Sequence, residues 1–149
     1  MLVPKIVANT ILMLAFEENI SVSPMKLQKL IYIVYKTYIK RTGNKLFTEC
    51  FSKWQYGPVV ESVYYEFGCF GGKPINKFAR DAQGNVQVVD LGIKSCLSDV
   101  IREVWDKYKG YPAMVLSSLT HRENSAWSKA VEEKRNTLKD EDIINEEDF

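Results

Sequence analysis

The stretch between Ser23 and Gly43 constrains the fold of this 149-residue chain more than any other. Ser23 followed by Pro24 is a helix start, because the hydroxyl can accept an orphan N–H and the proline φ is already helical. Gly43 supplies the matching stop. Between them Leu27, Leu30, Ile31, Val34 and Tyr38 recur at i, i+3, i+4, i+7 and i+11, while Tyr32, Tyr35 and Ile39 cover a further sector. Lys26, Lys29, Lys36 and Lys40 gather within about 80° of one another at 100° per residue. A helix apolar over so much of its girth has to be surrounded. The chain is therefore predicted to build around it, with water reaching it only along a basic edge.

The elements expected around this helix are mostly helical. Pro4 opens a first helix running to about Glu18, with Val3, Val7, Ile11, Leu14 and Phe16 in a near-3.6 apolar pattern. Residues 46–54 mix aromatic, β-branched and polar types over short stretches, which suits one or two short strands. Tyr56-Gly57-Pro58 turns the chain, and Pro58 is expected to open a short helix presenting Val60, Val63, Tyr64 and Phe67, closed by Gly68. Residues 75–80 and 86–90 flank Asp81-Ala82-Gln83-Gly84-Asn85, a connection that predicts a hairpin. Ile93, Leu97, Val100, Ile101, Val104 and Tyr108 form the most regular helical stripe, ended by Gly110.

Pro112 opens another short helix carrying Met114, Val115, Leu116 and Leu119, and residues 123–134 carry Trp127, Ala130 and Val131 at i, i+3, i+4. A last helix capped by Asp140 and docked through Ile143 and Ile144 is expected at the end. Fold class follows: mainly α, one compact helical bundle over residues 1–149, with a small β-hairpin or short antiparallel sheet. A chain of this length forms one domain able to bury about 68–70% of its unfolded surface. Its 46% hydrophobic and 12% aromatic content excludes disorder and low complexity.

Charge disfavours a dedicated nucleic-acid binder, since 20 Lys and Arg stand against 19 Asp and Glu. The acid is concentrated at the end: six carboxylates against Lys139 put −5 on residues 139–149, leaving +6 for residues 1–138 of a total of +1. The apolar run at 6–16 is broken by Asn9 and Thr10, is too short to cross a bilayer and lacks a small-residue cleavage site, so no membrane partner and a cytoplasmic location are expected. Cys50, Cys69 and Cys96 are odd in number and far apart, which fits reduced thiols better than disulfides or zinc.

A catalytic set is not legible. His121 is the only histidine, with no nucleophile elbow or cysteine motif to serve it. Its ordinary role is a polar residue at a helix junction within Thr120-His121-Arg122-Glu123. Neither a phosphate-binding loop nor a dinucleotide fingerprint is present. No enzyme activity, cofactor or metal is expected.

Four stretches together carry a resemblance. They are Met25-Lys26-Leu27-Gln28-Lys29-Leu30-Ile31-Tyr32, then Trp54-Gln55-Tyr56-Gly57-Pro58-Val59 within residues 51–59, then Val63-Tyr64-Tyr65-Glu66-Phe67, then Leu116-Ser117-Ser118-Leu119-Thr120-His121-Arg122-Glu123 leading to Trp127. In this order and spacing the chain resembles the Panacea family, the SocA-like antitoxin domain also found in phage-associated proteins of the GepA type. It departs from the pattern at Ser125-Ala126-Trp127, where a Pro commonly precedes the Trp. The resemblance implies a mostly helical domain with a small β element, acting as the antidote to a cognate protein toxin by binding it. It also implies that toxins differ among members. A member that delivers its toxin to a protease makes a protease a further conceivable partner.

Within the matched motifs, Lys26, Gln28, Lys29, Tyr32, Trp54, Tyr56, Glu61 and His121 are the candidate partner-binding residues. They border one surface, with aromatics burying area and charges selecting the partner, or they form a buried polar network that fixes the fold. A rival function is an operator-DNA-binding autoregulator using the lysine edge of the second helix, although no helix-turn-helix signature supports it.

Overall fold

The computed structural model describes residues 2–149. Two helices form its spine: α1 (Pro4–Glu18) and α2 (Pro24–Thr42). As expected, Ser23 caps α2 by accepting the Lys26 N–H, and Gly43 ends it in the left-handed region at φ 71°. Asn19, also left-handed, ends α1. Leu27, Leu30, Ile31, Tyr32 and Val34 of α2 are all buried, and α4 (Cys96–Tyr108), α5 (Ala113–Thr120) and α1 pack around them. Tyr35 and Tyr32 meet Phe47 and Phe51 with ring centroids 4.9–5.1 Å apart, filling the space behind α2. One contiguous core runs from Val7 to Ile143.

The β element is a two-stranded antiparallel hairpin, β1 (Ser52–Trp54) and β2 (Gly57–Val59), paired Ser52 with Val59 and Trp54 with Gly57. The free edge of β1 takes the later chain, through Lys53 N–H to Asn136 O and Leu138 N–H to Phe51 O. Pro58 thus lies in β2 and does not open a helix. The next helix, α3 (Glu61–Phe67), starts three residues further on, and Gly68 leads into a 3-10 turn.

The hairpin predicted around 81–85 is only a turn. Asp81 N–H bonds Asn85 O at 2.8 Å, and the Asp81 carboxylate accepts the Gln83 and Asn85 N–H groups, but neither flank is a strand. The reason lies in α1. Buried Asn9 bonds both the N–H and the carbonyl of Ala79 and the carbonyl of Gln87, and Thr10 Oγ1 accepts the Val89 N–H. Main-chain groups bound to these side chains are not available for a strand ladder.

Three helices are shorter than expected or start differently. Ser95 caps α4, leaving Ile93 outside and exposed. Asn124 turns at φ 64°, so α6 (Ala126–Glu132) begins after the Ser125 cap and stops before Lys134, itself at φ 56°. In α7 (Asp140–Asn145) Asp140 does not cap; its carboxylate accepts the Tyr35 hydroxyl at 2.7 Å and pairs with Lys45 at 3.3 Å. Ile143 docks as expected, while Ile144 is partly exposed, at 39%.

The basic edge of α2 is the main correction. Lys26, Lys29 and Lys36 are buried, and Lys40 is half-covered. The pattern that predicts a solvated stripe holds as an angular arrangement, but the later chain covers it. No row of lysines faces outward there for DNA phosphates. Among the described residues, no helix is long and apolar enough to cross a membrane.

Candidate functional site

The chain from Trp54 to Val60 makes the hairpin turn and its exit, and side chains from α2, α5 and α6 take its main-chain polar groups one by one. Trp127 Nε1 donates to Trp54 O at 2.7 Å, His121 Nε2 to Gln55 O at 2.9 Å, Ser117 Oγ to Tyr56 O at 2.6 Å and Lys29 Nζ to Pro58 O at 2.8 Å. The Gln28 amide binds both sides of Val60, donating to its carbonyl at 3.1 Å and accepting its N–H at 2.9 Å. Each such bond contributes about 0.5–1.5 kcal/mol net, and together they hold the turn in one shape. The His121 ring stands edge-on to Trp127 at 4.0 Å, so its one bonded nitrogen braces the turn.

Gly57 is required at the centre of this clamp. Its φ of 115° is one that L side chains rarely adopt, and an added Cβ would sit 2.5 Å from Thr120 Oγ1 and 3.1 Å from Lys29 Cε. The helices therefore close directly onto the turn's backbone.

On its outer side the clamped turn borders a hollow of about 670 Å3 that opens to solvent between the hairpin, the start of α2 and α3. Trp54, Tyr56 and Tyr64 form its aromatic walls, with Trp54 and Tyr64 edge-to-face at 4.6 Å. Tyr56 is 49% exposed, and Tyr65, stacked edge-on against Tyr64 at 5.5 Å, is 74% exposed. Gln28 and Lys29 contribute to the wall from α2. Lys29 is 1% exposed, and burial lowers its amine to about 7. Among the described residues no carboxylate pairs with it.

Of the eight candidate residues, Gln28, Lys29, Trp54 and Tyr56 thus meet at one hollow, and His121 supports it from behind. The other three lie elsewhere. Lys26 Nζ donates to Lys109 O at the end of α4, and burial lowers its amine. Glu61 accepts the Ser52 hydroxyl beside β1. Tyr32 is fully interior, its hydroxyl 3.1 and 3.2 Å from the two oxygens of Glu146. Burial and that carboxylate push the Tyr32 hydroxyl well up.

Glu146 is a second buried hub. It pairs with Lys36 at 2.8 Å and accepts the Ala126 N–H at 2.8 Å as well as the tyrosine. The acidic tail continues along α2 and α4, with Asp148 pairing with Lys40 at 3.1 Å and Lys107 donating to Phe149 O. The tail accordingly neutralises Lys36 and Lys40 of the basic edge.

Tyr64, expected to share one helix face with Val60, Val63 and Phe67, is exposed and rims the hollow. Of the three i, i+4 pairs in this seven-residue helix only Val63 and Phe67 are both buried, and Tyr64, about 100° round from Val63, falls at the margin.

The hairpin, its helical clamp and the aromatic hollow are built largely from the motif segments, and all of these but Met25 and Lys26 lie inside a recognised family boundary. The chain belongs to the SocA-like antitoxin family of the Panacea domain, whose model matches residues 27–128. A curated relative is the antitoxin SocA of Caulobacter vibrioides (strain NA1000 / CB15N), 36% identical over 69 residues. That match covers 46% of this chain and 37% of the relative. No solved structure matches.

Proposed function

We propose that this protein is a cytoplasmic antitoxin that neutralises a co-encoded protein toxin by binding it directly, with the aromatic hollow as the centre of the contact. The observation that carries this reading is the rigid turn: side chains from three helices immobilise Trp54 to Val60, while Tyr56 and Tyr64 stand exposed beside it. Tyr and Trp in a preformed setting are the residue types that dominate protein–protein hot spots, and little ordering entropy is lost when such a surface binds. A stable complex needs an interface of about 1,000 Å² or more, so the contact extends beyond the hollow onto flanking exposed residues such as Tyr65.

The action proposed is steric, with no covalent step. His121, the one histidine, has its ring committed to Gln55 O and Trp127, which supports a positioning role for it. The test is co-expression with the protein encoded beside this one. Copurification and growth rescue that Tyr56→Ala weakens are expected. Failure of the wild-type chain both to copurify and to rescue growth overturns the reading.

A further inference from the structure

We propose that the hollow between the hairpin, α2 and α3 is a receptor for a single carboxylate side chain, Asp or Glu, carried on an apolar segment of the partner protein and seated against Lys29. This inference rests on the reading of the hollow as the toxin-facing surface, and names what that surface recognises.

The buried amines of α2 are balanced in different ways. Lys36 has Glu146 at 2.8 Å. Lys26 donates to a carbonyl at the C-terminal end of α4, where the helix dipole is negative. Lys29 has neither. Its one hydrogen bond goes to Pro58 O, a strand carbonyl. A buried cation without a counter-charge is costly, and the low proton affinity of this amine reflects that cost. An anion entering the hollow removes it.

The surroundings select the anion. Of the described residues lining the hollow, Lys29 alone is charged. The neighbouring Gln28 amide is fixed by Val60 through both its oxygen and its nitrogen, which leaves it at most one N–H to offer the ligand. One amine matches one carboxylate; a phosphate, with more charge and more acceptor oxygens, would be left largely unsatisfied. Aromatic walls from Trp54, Tyr56 and Tyr64 favour apolar groups flanking the acid. A volume of about 670 Å3 accommodates an acidic side chain with its apolar neighbours.

Two capped tripeptides test this, acetyl-Phe-Glu-Leu-amide and acetyl-Phe-Gln-Leu-amide, titrated into the full chain at pH 6 while the Trp54 and Tyr56 NMR resonances are followed. The Glu peptide is expected to shift these resonances and to bind at least tenfold tighter than the Gln peptide. Lys29→Met, with folding checked by circular dichroism, is expected to bind both alike. Tyr56→Ala, a surface change, should weaken both and keep the preference. Equal binding of the two peptides to the wild-type chain, no shift with either at millimolar concentration, or a preference that survives in Lys29→Met would each overturn the proposal. The wild-type comparison decides even if Lys29→Met does not fold. Growth rescue without a peptide preference removes this inference alone, whereas a preference without rescue removes the antitoxin reading and leaves the carboxylate site. If the Glu peptide instead dissociates a dimer in sedimentation, the occupant is a second copy of this chain and the partner assignment is overturned.

Discussion

Lys29 and Lys36 sit on the same helix, seven residues or about two turns apart, and both are almost wholly buried. Lys36 belongs to a closed network in which Glu146 also binds Tyr32 and the Ala126 N–H. Lys29 belongs to an open one, with a single carbonyl partner and a solvent-facing hollow beside it. The difference separates two uses of a buried charge. A closed network joins distant segments of the chain, here α2, α6 and the tail; an open one keeps binding capacity in reserve for something outside.

The comparison breaks most sharply at Glu146. Glu146→Ala leaves a buried ammonium without its counter-charge and a tyrosine hydroxyl and an N–H without their acceptor, and is expected to cost about 3–5 kcal/mol in urea unfolding. A loss of less than about 1 kcal/mol would mean that the network is not closed in solution. Gly57→Ala, which drives a Cβ toward Thr120 Oγ1 at an unfavourable φ, should cost about 1–3 kcal/mol. The double variant with Thr120→Ala should recover part of it, since the steric component is relieved and the φ strain is not.

Lys29→Met is expected to change stability at pH 7 by less than about 1.5 kcal/mol, because the substitution removes an unbalanced charge along with one hydrogen bond. Its pH dependence sharpens the contrast. The Lys29 amine holds its proton to about 7 in the folded chain and to its ordinary 10.5 in the unfolded one. Between those values the unfolded state binds more protons, so wild-type stability should rise with pH relative to Lys29→Met, and below pH 7 the full penalty should remain. A parallel pair of stability curves from pH 6 to 9.5 would show that Lys29 does not titrate in this window. Tyr56→Ala should have the smallest effect on folding, within about 0.5 kcal/mol, because the side chain is half exposed. Its effect should appear in partner binding instead.

Several features of the site are legible without coordinates. The Ser23-Pro24 start and the Gly43 stop bound α2 where the structure has them, and Tyr56-Gly57-Pro58 marks the reversal that becomes the hairpin. The four motif segments converge on one region, although they are spread over more than a hundred residues. What is not legible is the solvent exposure of the lysines. Angular position on a helix says which residues share a face, and lysine on such a face reads the same whether it snorkels to water or is covered by chain arriving from residues 146–148. The false hairpin at 75–90 has the same origin: alternation and turn residues specify a reversal, while Asn9 and Thr10, 70 or more residues away in sequence, take the main-chain groups that a ladder needs.

Local chemistry in the sequence determined α1, α2 with its Ser23 and Gly43 caps, and the two reversals, because these depend on φ preferences and on neighbours within a few positions. Only the tertiary structure decided which polar groups are satisfied inside the molecule and which are left facing a hollow. That depends on partners brought together from far apart in the chain, and burial turns an ordinary lysine into either half of an ion pair or a charge waiting for one.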